Sequence, residues 1–119
     1  QKEASQEADL FAQGVIQKEA GNNKKALDYF TKALDINPND PAALYEKARI
    51  LNANGQSAEA YELSKKAISI DPDNRWYKAV FAGIARQEGK YDEYVKAYEE
   101  LVEQYPKNFD FLNVLRHTQ

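Results

Sequence analysis

A 34-residue interval runs through this chain and limits what it can fold into more than any other feature. Gly21, Gly55 and Gly89 stand at that spacing, as do Pro38, Pro72 and Pro106 and the small residues Gly14, Ala48 and Ala82. The register also holds at Ala26, Ala60 and Tyr94, at Ala33, Ala67 and Leu101, and at Leu34, Ile68 and Val102. Self-similarity at such a period is the signature of stacked supersecondary units. One domain over 1–119 is expected, with units at about 7–40, 41–74 and 75–108 and a truncated or capping helix over 109–119.

Each unit reads as two helices. The shared glycine ends the first, because it takes the left-handed conformation without a Cβ penalty. The second stops before the shared proline, which lacks an N–H and disfavours helical geometry in the residue before it. Asp40 followed by Pro41 joins an N-cap oxygen to a proline at the first helical position, and Asn74 and Asn108 are expected to cap equivalently. Ser57 is expected to cap the second helix of the middle unit. Close approach of paired helices needs short side chains at the crossing, which places Gly14, Ala48 and Ala82 opposite Ala26, Ala60, Ala33 and Ala67. In the third unit Tyr94 and Leu101 replace two of these alanines, and Ala85 stands where the middle unit has Leu51, so that pair is expected to sit differently.

Composition closes off several alternatives. With 43% hydrophobic and 29% charged residues the chain matches neither collagen nor low-complexity disorder, and without cysteine it has no disulfide scaffold, thiolate nucleophile or Cys-ligated zinc. The longest apolar run, Ala79 to Ala85, falls far short of the roughly 20 residues a membrane span needs. A net charge of -3 without a basic block argues against a phosphate-tracking surface, and so against nucleic acid as a partner. Gln1 is not a ribosomal start and methionine is absent, so the chain reads as a processed or excised piece, and both an exported and a cytoplasmic location stay open.

The spaced residues resemble the tetratricopeptide repeat, a helix-turn-helix unit of 34 residues. The unit from Pro41 to Asn74 carries the pattern most fully, at Leu44, Ala48, Leu51, Gly55, Ala60, Ala67 and Pro72. Departures are Gln13, Gln17 and Lys47 where a large apolar residue is usual, Ser64 where an aromatic is common, and Lys78 where Trp or Leu is expected. The resemblance implies an all-α, right-handed α-solenoid of antiparallel helix pairs, about seven helices long, with contacts chiefly between neighbours. It also implies that the first helix of every unit lines a concave face that holds peptides or partner segments. Some family members capture acidic chaperone tails there through Lys, Asn and Arg. The matching positions here hold Phe11, Val15, Glu46, Trp76 and Val80, none of them a cation, which argues against chaperone C-terminal tails as ligands.

Helical spacing supports the same face. Phe11 and Val15, Tyr45 and Arg49, and Trp76, Val80 and Gly83 recur at three, four or seven residues, one above another. With Arg86 they form the candidate peptide-binding groove, and Tyr, Trp and Arg are the types that carry most interface energy. Against this stands a packing role, in which Phe11 and Tyr45 pack between units and Trp76 covers a helix join. Gly83 also has two readings, a dimple for a ligand beside Trp76 and Val80, or relief of crowding against the middle unit. Lys18, Arg49 and Arg86 offer a positive lane, partly balanced by Glu19 and Glu46. An extended or helical segment with apolar anchors and an acidic group is the ligand this implies.

Catalysis needs converging acids, bases or nucleophiles. The sole histidine, His117, lies near the chain end, and no phosphate loop, dinucleotide fingerprint or metal-spaced histidine cluster occurs, so no enzyme, cofactor or metal is expected. The rival function is assembly. Phe109, Phe111, Leu112, Val114 and Leu115 crowd the last helix, whereas a terminal cap should be polar outside, which makes Phe111, Leu112 and Leu115 candidates for self-association or for stacking with further repeats. A helical-repeat reader of RNA ranks third, against the acidic balance.

Overall fold

The computed structural model describes residues 2–118. Among them run seven helices: α1 (Lys2–Glu19), α2 (Asn23–Ile36), α3 (Pro41–Ala53), α4 (Ser57–Ile70), α5 (Arg75–Gln87), α6 (Tyr91–Gln104) and α7 (Phe109–Thr118). Each helix packs most closely on its pair mate, α1 on α2, α3 on α4 and α5 on α6, and next on the helix that follows. The expected all-α solenoid of antiparallel helix pairs is the observed architecture. Beyond chain neighbours, α3 also touches α5, which brings two first helices side by side.

The helix ends show how the period is enforced. Gly21, Gly55 and Gly89 have φ values of 84°, 83° and 78°, in the left-handed region that a side chain disfavours. The residue after each glycine then donates its N–H to the carbonyl five residues back, Asn22 to Gln17, Gln56 to Leu51 and Lys90 to Ala85, each at 2.8 Å. That bond satisfies a carbonyl the helix end leaves unpaired. At the other boundary α2, α4 and α6 stop two residues before Pro38, Pro72 and Pro106.

Three caps stand where the spacing puts them. Asp40 Oδ1 accepts from the N–H groups of Ala42 (3.0 Å) and Ala43 (3.4 Å), Asn74 Oδ1 from Tyr77 (3.1 Å) and Asn108 Oδ1 from Phe111 (3.2 Å). Ser57 does not cap. It is the first residue inside α4, the cap position belongs to Gln56, and the Ser57 hydroxyl donates to Glu88 Oε2 at 2.5 Å in the corresponding turn of the next unit.

Small residues seal the crossings. Ala26, Ala33, Ala48, Ala60 and Ala82 are fully buried. A Cβ on Gly14 would lie 2.5 Å from Cε1 of Phe30, so glycine is what lets α1 close on that ring. Ala26, Phe30 and Ile50 form one core cluster, and a larger one joins Leu51, Tyr61, Phe81, Ile84 and Tyr94 across α3 to α6. Truncating a sealed ring such as Phe30 removes about 3–5 kcal/mol. Two departures from the family pattern find polar solutions: Ser64 Oγ donates to the Tyr61 carbonyl at 3.1 Å, and buried Lys78 reaches Glu100 at 3.2 Å.

Candidate functional site

The contact between α3 and α5 positions the site. Because Ala48 and Ala82 draw the inner faces of these helices into the core, the opposite faces are left beside one another. Between them lies a depression of about 280 Å³, with Arg49, Asn52 and Ala53 from α3 facing Ala79, Val80, Gly83, Ile84 and Gln87 from α5. Arg49 and Ala53 also line a smaller hollow of about 190 Å³ with Lys18, Asn23 and Ile50. The two share a rim and form one lane across α1, α3 and α5. None of the residues that line it is an aspartate or glutamate.

Charge at the lane is organised by Glu46. Its Oε1 accepts from Lys18 Nζ at 2.9 Å and from Arg49 Nη1 at 3.4 Å, so one carboxylate holds two cations from successive units. Arg49 stays exposed, and its guanidinium also lies 5.4 Å from the centre of the Tyr45 ring. Asn52 Oδ1 is buried with no hydrogen-bond partner among the described residues, so this lining residue carries an unmet acceptor. Among the described residues no three His, Cys, Asp or Glu side chains come together as metal ligands.

The residues singled out by helical spacing divide into groups. Arg49, Val80 and Gly83 meet in the lane. Gly83 is exposed, and a Cβ there would meet nothing within 4 Å, so no crowding against the middle unit requires it. Tyr45 is half-buried and packs 4.7 Å from the ring of Tyr77, bridging two units beside the lane. Trp76 is 59% exposed at the start of α5, with the Arg75 guanidinium 4.4 Å from its ring, and lines neither hollow of the lane. Phe11 and Val15 go to the core. They pack on the cluster of Ala26, Phe30 and Ile50, with the Phe11 ring 5.5 Å from that of Phe30. Arg86 is exposed and sits over Tyr94 at 5.6 Å, in a separate depression beyond Gly83.

On α7, Phe111 is half-buried against Tyr98 and Tyr105, with ring centres 6.1 and 6.2 Å away. Leu112 and Leu115 are half-buried and Phe109 is 69% exposed.

Some polar groups were not visible in the sequence as partners. The Tyr61 hydroxyl donates to Glu93 at 2.6 Å, and burial followed by that bond pushes the phenol up to about 12. Glu7 is raised to about 7, chiefly by the Asp40 carboxyl it faces and also by burial, and its Oε1 is buried with no hydrogen-bond partner among the described residues. Each joins residues about one repeat apart, so the period itself was the only signal available.

Comparison with known proteins places this geometry. The tetratricopeptide repeat family matches residues 18–82 and again 82–108. The photosystem I assembly protein Ycf3 of Acaryochloris marina is 35% identical over 79 residues, covering 55% of this chain and 48% of that protein. The small glutamine-rich tetratricopeptide repeat-containing protein 2 of Mycosarcoma maydis is 32% identical over 104 residues, covering 83% of this chain but 28% of its own length. The chain thus spans half or less of these curated relatives. Among solved structures, the first such domain of Spaghetti (RPAP3), bound to an HSP90 peptide, superposes with a TM-score of 0.85 at 23% identity, over 95% of this chain and 90% of that one. A Thermobaculum terrenum O-GlcNAc transferase mutant gives 0.83 at 16% identity over 97% of this chain and 22% of that one. Identities this low carry the fold alone. Glycine-stopped first helices, alanine-sealed crossings and the family match across most of the chain converge, and the chain belongs to the tetratricopeptide repeat family.

Proposed function

We propose that the chain is a non-catalytic protein-interaction module that holds an extended partner segment in the lane across α1, α3 and α5. The observation that carries this reading is Gly83. A glycine inside a helix costs about 1 kcal/mol relative to alanine, and no neighbour needs the space it leaves. Its bare backbone instead floors the depression between Arg49 and Gln87, where a ligand backbone can approach closely. Asn52 lines the same depression beside Arg49, which places a side-chain amide and a guanidinium along the edge where a segment's backbone would run.

Ligand chemistry follows from the lining. Ala53, Ala79, Val80 and Ile84 suit a small apolar anchor, and the absence of carboxylates suits an acidic flank. Glu46 already engages Lys18 and Arg49, so the attraction for that acidic group is modest. The HSP90 peptide held by the RPAP3 domain does not transfer to this reading, because Phe11, Val15, Glu46, Trp76 and Val80 stand where a clamp needs cations. The transferase likeness spans 22% of that chain and supplies no argument for catalysis.

The test is to select peptides from a displayed random library and map a binder by amide shifts. Perturbations centred on Asn52, Ala53, Val80 and Gly83 support the lane. Perturbations confined to the convex second helices contradict it. The second reading, self-association through α7, is favoured by the exposed Phe109 beside half-buried Leu112 and Leu115.

A further inference from the structure

Beyond Gly83, which it shares with the lane, lies a depression of about 560 Å³ set between α5, the second helix α6 and the start of the next unit. Three tyrosines of α6, Tyr91, Tyr94 and Tyr98, form its wall, joined by Arg86 and Gln87 of α5. Gly83 and Val114 complete the lining. Spacings of three and four residues put the tyrosines on one face of α6.

The repeat explains why the hollow exists. The residues 34 positions earlier are Ser57, Ala60 and Ser64. In the middle unit these small side chains let α4 close on α5, and Ala60 and Ser64 are buried at 0% and 2% exposure. In the third unit the substituted rings stand between α5 and α7. Tyr94 and Tyr98 meet edge to face at 5.4 Å, and Tyr98 in turn meets Phe111 at 6.1 Å, so α7 rests on aromatic side chains.

Every polar side chain of the wall, on Tyr91, Tyr94, Tyr98, Arg86 and Gln87, can donate an O–H or N–H, and no carboxylate lines the hollow. Among the described residues none of the three phenols donates to a protein group. A ligand that fits must offer flat apolar surface to the rings and acceptors to the donors. A polyproline II segment does both: it has no internal hydrogen bonds, so its carbonyls are free, and proline brings no N–H of its own. The lengths also agree. Tyr91 to Tyr98 spans roughly 10 Å of helix axis, and one polyproline II turn advances roughly 9 Å, which sets prolines three residues apart on the same side.

We propose that the tyrosine-walled hollow between α5, α6 and α7 is a separate docking site for a proline-containing segment in the polyproline II conformation. Gly83 and Gln87 border both hollows, but the tyrosine wall and Val114 belong to α6 and α7, and Arg49 and Asn52 do not line the site, so it does not rest on the lane reading.

The test is fluorescence anisotropy with labelled decaproline, a length-matched Glu/Ser peptide and a Gly/Ser peptide, using the chain as it stands. Decaproline is expected to bind saturably and alone. Tyr91, 60% exposed, can be replaced without disturbing the core; Tyr91→Ser, which installs the middle unit's residue, is expected to weaken binding about tenfold, as for loss of an aromatic anchor. Arg86→Ala should weaken it as well, whereas Arg49→Ala should leave it unchanged and would disturb only the lane. Equal binding of the Glu/Ser peptide, no saturation by about 1 mM decaproline, insensitivity to both Tyr91→Ser and Arg86→Ala, or occupation of this face by a second copy of the chain would each overturn the proposal.

Discussion

The Tyr61 phenol on α4 donates a 2.6 Å hydrogen bond to the Glu93 carboxylate on α6, tying the second helices of two successive units across 32 residues. Tyr61 is 5% exposed, so the bond is made where water does not compete freely. Tyr61→Phe should keep the packing and lower stability by about 1–2 kcal/mol, measured by urea unfolding. The phenol sits at about 12 in the fold against an ordinary 10.0, so this contribution is complete below pH 10 and is lost as pH rises toward 12. Tyr61→Phe should remove that part of the alkaline decline.

Glu7 gives a pH dependence of unusual sign for a carboxyl group. Its value in the fold is raised from 4.5 to about 7, chiefly by the Asp40 carboxyl it faces and also by burial, so the folded state holds a proton that the unfolded chain releases. Stability from this group is complete below pH 4.5 and is lost as pH climbs to about 7. Glu7→Gln should flatten that window in thermal melts taken at successive pH values, while a Glu7→Ala change should lower stability throughout it.

Two glycines at helix interiors should respond to alanine in opposite directions. Gly14→Ala drives a Cβ to 2.5 Å from Phe30 and should destabilise by about 1–3 kcal/mol. Gly83→Ala meets open space and should stabilise by up to about 1 kcal/mol through helix propensity. Calorimetry on both variants checks the pair, and a destabilised Gly83→Ala would return that glycine to a packing role.

Self-association separates the lane from its rival. A lane binder should sediment as a monomer over a wide concentration range. A dimer that forms with concentration and is lost on Leu112→Lys would instead assign the exposed end of α7 to assembly.

Much of the architecture was legible because it is punctuated locally. The glycine stops, the proline boundaries and the Asp40, Asn74 and Asn108 caps each depend on a few adjacent residues, and all appear where the spacing puts them. Ser57 misled because a cap must stand just outside the helix, and α4 begins one residue earlier than a Ser57 cap requires, leaving the hydroxyl for Glu88. The lane was legible only in part. Arg49, Val80 and Gly83 converge because α3 and α5 touch, whereas closure of α1 over Gly14 draws Phe11 and Val15 toward Phe30. Helical spacing shows which residues share a face but not how each pair is rotated against the next. The bonds Lys18 to Glu46 and Tyr61 to Glu93 depend on that rotation. The tyrosine hollow lay in plain view as substitutions of Ser57, Ala60 and Ser64, yet its meaning needed the position of α7.

The most direct test of the lane is the affinity of one library-selected peptide for the wild-type chain and for Gly83→Leu, each shown by melting to be folded. The side chain added at Gly83 fills the floor of the depression without meeting another residue at its Cβ. The predicted result is a loss of at least about tenfold, the scale of one blocked anchor, with amide shifts at Asn52 and Val80 abolished. Unchanged affinity with those shifts intact would contradict it.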